Sequence, residues 1–233
     1  MKINKGELKR GNIIGEQIIS DNILIAGINT VVDFYVLKNI LKAGNITEVE
    51  IIIHEKKEIT NTLNDVGFEK NHPVDNIIER IYLADWEHDS ELDILKNVKA
   101  STRQNNWRTI EAFDYVMNYY SHPQARQIIA EAILNFGNRE YYPIAIIAFL
   151  DEEAKVRAAI QRYFVKYKDD IEIIEKLIEN YKYIDSVNSK EYMELFKKTF
   201  NRIHVEKIKK KAETSGNKEV FEYAKIILEK TLN

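Results

Sequence analysis

The chain has 233 residues, a formal charge of −3, 45% aliphatic and aromatic residues and no cysteine. That length allows one or two domains with a sizeable core, and the missing cysteines exclude disulfides, thiolate nucleophiles and cysteine-held zinc or iron–sulfur sites. The charge argues against a protein built mainly to coat nucleic acid, and no apolar run approaches the roughly 18–20 residues that cross a membrane.

Residues 1–7 lack the apolar run of a signal peptide, so a cytoplasmic location with no membrane partner is expected. Three prolines and eight glycines favour long regular elements over a loop-rich fold. Charge is uneven: residues 1–100 hold 12 Lys/Arg against 17 Asp/Glu, and residues 101–233 hold 22 against 20. This asymmetry supports two regions of different character.

Residues 12–19 and 22–28 are two short β-prone runs, and Ser20-Asp21-Asn22 between them has turn chemistry. Asn29-Thr30 can cap a helix over 31–43, where Val32, Val36, Leu37, Ile40 and Leu41 recur at helical spacing. Gly44-Asn45 ends it, a strand follows at 49–53, and 56–66 is expected to be helical. Strand, helix and strand of these lengths predict a right-handed βαβ unit with a parallel pair.

In nucleotide- and S-adenosylmethionine-binding α/β domains, the turn after the first strand meets the ligand and an acidic residue after the second holds the ribose. Gly27, Asn29, Thr30 and Glu55 fall near those places. Phosphate binding needs several glycines so that the main chain can come close, and Gly27 stands alone. The plainer reading makes Gly27 a strand-to-helix turn and Glu55 a solvated helix start.

Residues 77–84 suit a buried strand or a short helix, because periodicity does not separate the two. Ser90 is placed to cap a helix over 91–98. From Asn105 onward the pattern is helix after helix. Trp107, Ile110, Phe113, Val116, Met117 and Tyr120 form one apolar stripe. Pro123 can open a helix over 124–136, and Pro143 opens 144–150, which is apolar on every side and must be sandwiched. Further helices are expected at 171–181, capped by Asp169-Asp170, at 189–200, at 202–211, and at 218–232, whose polar outer face suits a capping helix.

Within this region one signature occurs twice, 31 positions apart. The first copy runs from Ala125-Arg126 to Phe136-Gly137; the second begins Val156-Arg157-Ala158-Ala159-Ile160 and continues through Tyr163, Phe164 and Tyr167. Over roughly residues 121–168 the chain resembles the HEAT-like helical repeats of the phycobilin-lyase type. That resemblance implies stacked helix pairs, with Arg126 and Arg157 reaching an acidic side chain or a carbonyl in the adjoining turn and Asp151 capping the following turn.

The expected fold class is therefore mainly α: a HEAT-like repeat region over 101–233 behind a small N-terminal α/β region over 1–100. HEAT-like repeats serve many functions. No Gly-x-Ser-x-Gly elbow, Walker A loop or His-Glu-x-x-His helix accompanies them. The expected function is a non-enzymatic protein-binding or scaffold module without a cofactor. Tyr141 and Tyr142, at an inter-helix turn, are the candidate partner anchors, with half-buried packing as their plainer use. Arg202, Lys207, Lys209, Lys210 and Lys211 form the one dense basic cluster. They make nucleic-acid or anion binding an alternative, although Glu206 and Glu213 dilute their field and no aromatics interleave for single-strand binding.

Overall fold

Turn chemistry and β-branched runs fold the N-terminus into antiparallel pairs. The computed structural model describes residues 1–52, 73–84, 89–103, 107–184 and 189–231. It divides into two compact units, Met1–Ala132 and Ile133–Asn233.

In the first unit, β1 (Lys2–Asn4), β2 (Ile13–Ile14) and β5 (Glu48–Ile52) form a three-stranded sheet with β5 in the middle. Both pairings are antiparallel, with Ile3 opposite Val49 and Ile14 opposite Ile51. A separate hairpin joins β3 (Ile18–Ser20) to β4 (Ile23–Ala26). Its turn is the expected Ser20-Asp21-Asn22, and Asp21 and Asn22 both take positive φ, 51° and 63°. Two left-handed central residues give the turn twist that matches paired strands, and Asp and Asn tolerate it best after glycine.

The parallel βαβ unit does not form. β4 pairs with β3, while β5 pairs with β1 and β2. β4 is taken by β3 across a tight turn, and both edges of β5 are taken by β1 and β2 from before the helix, so β4 and β5 are not left to pair with each other. The intervening helix, α1 (Phe34–Lys42), starts later than expected, because Asp33 caps it by accepting from Val36 N at 2.8 Å. Its inner face, Leu37 and Ile40, joins Ile14, Ile18, Ala26, Val32, Val49 and Ile51 in one apolar core. The helix expected at 56–66 lies outside the described residues.

Residues 77–84 resolve as the end of a helix, α2 (Pro73–Tyr82), with Ile78 and Ile81 buried at helical spacing. It packs against α3 (Glu91–Ser101) and α4 (Trp107–Tyr119), and the Tyr120 hydroxyl just beyond α4 donates to Ile81 O at 2.5 Å. Helix α5 (Pro123–Phe136) follows.

The second unit is helical throughout its described residues: α6 (Tyr142–Phe149), α7 (Ala154–Lys166), α8 (Ile171–Glu179), α9 (Ser189–Thr199), α10 (Arg202–Ser215) and α11 (Lys218–Thr231). All of Ile144–Phe149 is buried, as its apolar circumference requires. Asp170 caps α8 through Ile173 N, and Asp151 accepts from Glu153 N at 2.9 Å ahead of α7. Gly216, at φ 73°, stops α10, and Asn217 N closes the end on Ala212 O before its side chain caps α11. Among the described residues no helix is long and apolar enough to cross a membrane.

Candidate functional site

The paired arginines have one geometry. Arg126, 1% exposed, donates from Nη1 to Tyr120 O and Ser121 O, both at 2.8 Å. Arg157, also 1% exposed, donates from Nη1 to Asp151 O and Glu152 O, both at 2.7 Å. In each case the acceptors lie six and five residues earlier, in the turn that leads into the arginine's own helix. Arg157 also pairs through Nη2 with the Glu191 carboxylate and sits 5.0 Å over the Tyr192 ring. Both guanidiniums are buried, and their Nη1 hydrogen bonds hold the turns ahead of their own helices.

A second buried cation arrangement carries no sequence motif. Arg10 and Lys38 are 3% and 2% exposed, and they approach the Phe34 ring at 5.0 and 5.7 Å. Arg10 Nη1 donates to Met117 O in the last turn of α4, where the helix dipole favours a positive charge. Gly11 follows at φ 84°, so close to α4 that a Cβ there would stand 3.1 Å from Tyr119 O. This clamp fastens the N-terminal segment to α4. Beside it, Tyr82, Tyr115 and Tyr119 pack ring on ring at 4.3 and 5.0 Å. Burial, with Glu111 next, pushes the Tyr82 hydroxyl up to about 12, and burial raises the Asp114 carboxyl despite its hydrogen bond with Asn118.

Tyr141 is fully buried with its ring stacked 5.8 Å from Phe136, and Tyr142 is half-buried under Arg139 at 5.6 Å. Tyr141 is therefore not an exposed anchor, its ring packing in the core against Phe136, while Tyr142 keeps part of its surface in water.

The basic cluster divides around α10. Arg202, Lys209 and Lys210, with Lys225 of α11, line a groove of about 490 Å³, but Glu206, Glu213 and Glu229 line it too. Arg202 pairs with Glu206 at 2.8 Å, and Lys211 turns to Glu175 of α8 at 2.6 Å. Lys207 is exposed and does not line the groove. A phosphate here would meet carboxylates interleaved with the cations, so the five residues do not converge on one anion.

The nucleotide arrangement also fails to assemble. Gly27 and Asn29 follow β4, which has no parallel neighbour in β5, and Asn29 takes φ 64°. Asn29 N donates to Ile14 O at 2.8 Å and Thr30 N to Gly27 O at 3.2 Å, so these amides are committed to the fold. Helix α1 begins four residues after Thr30, which removes the expected helix terminus from this loop. Glu55 lies outside the described residues. Among the described residues no group of three or more His, Asp or Glu is placed to hold a metal ion.

What the hairpin presents is an apolar surface. Ile18, Ser20 and Ala26 turn inward, while Ile19, Ile23, Leu24 and Ile28 are 50%, 68%, 56% and 60% exposed. Ile19 and Leu24 stand directly opposite each other across the strands. The signal lies in the sequence: Ile18-Ile19 and Ile23-Leu24-Ile25 do not alternate with polar residues. A two-stranded ribbon covered on one side must then turn aliphatic side chains outward. No family model, curated protein or solved structure matches the chain.

Proposed function

We propose that the protein is a non-enzymatic interaction module that docks a protein partner on the outer face of the β3–β4 hairpin. In this reading the helical remainder, HEAT-like over residues 121–168, is its scaffold. The observation that carries the reading is the exposed pair Ile19 and Leu24, opposite each other across the strands, with Ile23 and Ile28 also more than half exposed within the same ten residues of sequence. Apolar area left in water forgoes about 25 cal/mol per Å² of burial. Single exposed aliphatics are ordinary, but two large ones paired across a strand ladder leave an apolar face open to a partner. Support for the repeat reading comes from the matched geometry of Arg126 and Arg157, each closing the turn before its helix.

The test is affinity capture with the wild-type chain and an Ile23→Ser/Leu24→Ser variant whose melting temperature is checked first. A partner retained by the wild type and lost by the equally stable variant supports docking on the hairpin. A partner retained equally by both, or turnover of a small molecule without any macromolecular partner, overturns the reading.

A further inference from the structure

We propose that the groove beside α10 is a self-association surface, on which a second copy of the chain docks through its own α10, antiparallel and about a two-fold axis. The argument is charge complementarity. Along α10 the groove-lining charges run Arg202, Glu206, Lys209 with Lys210, then Glu213, so the sign alternates from turn to turn. Lys225 and Glu229 of α11 add one charge of each sign. A partner of a single sign, such as a nucleic-acid backbone, meets a carboxylate one turn after every cation. The partner that fits carries the same alternation in reverse, and α10 itself does.

At about 1.5 Å per residue, Glu206 and Lys209 lie about 4.5 Å apart along the helix and Arg202 and Glu213 about 16 Å apart. Both pairs have the same midpoint. A two-fold axis through that midpoint, perpendicular to α10, sets Glu206 of each copy opposite Lys209 of the other. It also sets Arg202 of each opposite Glu213 of the other, making four ion pairs. Parallel docking in register would set every charge against itself. Arg202, Glu206, Lys210 and Glu213 are exposed, and Lys209 is half-buried with its ammonium 5.3 Å from the Phe221 ring. The Arg202–Glu206 pair within each chain, at 2.8 Å, joins the two kinds of cross-pair in one network. Exposed ion pairs add little affinity singly, and here they set register and orientation. The methylene stems of the basic side chains, with Leu228, supply apolar contact.

Sedimentation equilibrium of the full chain provides the test, at about 50 mM and about 500 mM salt, where screening lengths differ about threefold. The wild type should dimerise at low salt and at least about threefold more weakly at high salt. Lys209→Glu turns two of the four pairs repulsive and should weaken dimerisation at least about tenfold. Glu206→Lys/Lys209→Glu exchanges the signs and should restore it. Mixed with wild type, this exchanged chain should form fewer mixed dimers than random pairing gives, because like charges meet at both 206–209 contacts. Arg202→Glu/Glu213→Arg is the second exchange, used if melting shows that the first does not fold. A chain monomeric at both salts, a dimer indifferent to Lys209→Glu, or an exchange that folds without restoring the dimer overturns the proposal. A dimer abolished by Ile23→Ser/Leu24→Ser overturns it in favour of the hairpin as the self-contact. A monomer that binds a DNA duplex, and loses it in Lys209→Glu, overturns it in favour of nucleic acid.

Discussion

Replacing Arg157 by methionine keeps the apolar stem that fills the buried channel and removes the guanidinium. Four interactions go: donation to Asp151 O, donation to Glu152 O, the pair with Glu191 and the cation–π contact with the Tyr192 ring. The losses are unequal. Glu191 is 45% exposed and returns to water. Asp151 O keeps a second donor, the Tyr192 hydroxyl at 2.9 Å. Hydrogen bonds to charged groups contribute about 1.5–3 kcal/mol each, so the expected cost is about 3 kcal/mol. Tyr192→Phe alone leaves Asp151 O served by Arg157 but takes the hydroxyl from buried Leu150 O as well, and should cost about 1–3 kcal/mol. The double variant takes both of these donors from a carbonyl inside a fully buried residue and should exceed the sum of the singles by about 1 kcal/mol. Urea unfolding followed by circular dichroism reads this directly. With a slope of about 1–3 kcal/mol per molar, the Arg157→Met midpoint should fall by about 1–3 M. A fall corresponding to less than about 1 kcal/mol, or strict additivity in the double variant, refutes the idea that Arg157 and Tyr192 share the Asp151 carbonyl.

Other consequences are equally open to measurement. Gly11→Ala combines a positive φ with a 3.1 Å approach to Tyr119 O, and should destabilise the first unit by at least about 1–2 kcal/mol, read by tryptophan fluorescence because Trp86 and Trp107 both precede Ile133. The Tyr82 hydroxyl, raised to about 12, is harder to ionise in the fold than in the unfolded chain, near 10. Its contribution is therefore fully present below pH ~10 and lost as pH rises through ~12; a melting profile flat across that interval would contradict it. Asp170 is held below its usual value first by the hydrogen bond from Arg139, so Arg139→Gln should raise its titration midpoint in carboxyl NMR, and an unmoved midpoint sinks the pairing. Because its acidic form is the disfavoured one, the stability lost with Arg139 is present above the unfolded aspartate value, about 3.9, and vanishes as pH falls below it. Ile23→Ser/Leu24→Ser touches only exposed side chains and should change stability by no more than about 0.5 kcal/mol per site.

Helix positions were legible because their apolar residues recur at a period that only a helix satisfies. The stripe from Ile110 to Tyr120 is the clearest case, whereas the fully apolar Ile144–Phe149 has no period and was legible through Pro143 at its start. The hairpin turn was legible in Asp21-Asn22, residues that accept positive φ. Strand partnership was not, because a short apolar run such as Glu48–Ile52 is compatible with a parallel or an antiparallel neighbour until the N-terminal β1 claims its edge. Tyr141 was left open between anchor and packing for a related reason: an aromatic at a turn is exposed or buried according to what stands beside it, here Phe136. The Arg10 clamp spans 107 residues of sequence, and no local pattern announces such a partner.

The most direct test of the interaction reading is a photo-crosslinking amino acid placed at Leu24, 56% exposed on the hairpin, with the exposed Glu222 of α11 as the control position. Irradiation in a lysate should give a discrete protein adduct from position 24, and none from position 222. Equal adducts from both positions, or none from position 24, would contradict docking on the hairpin face.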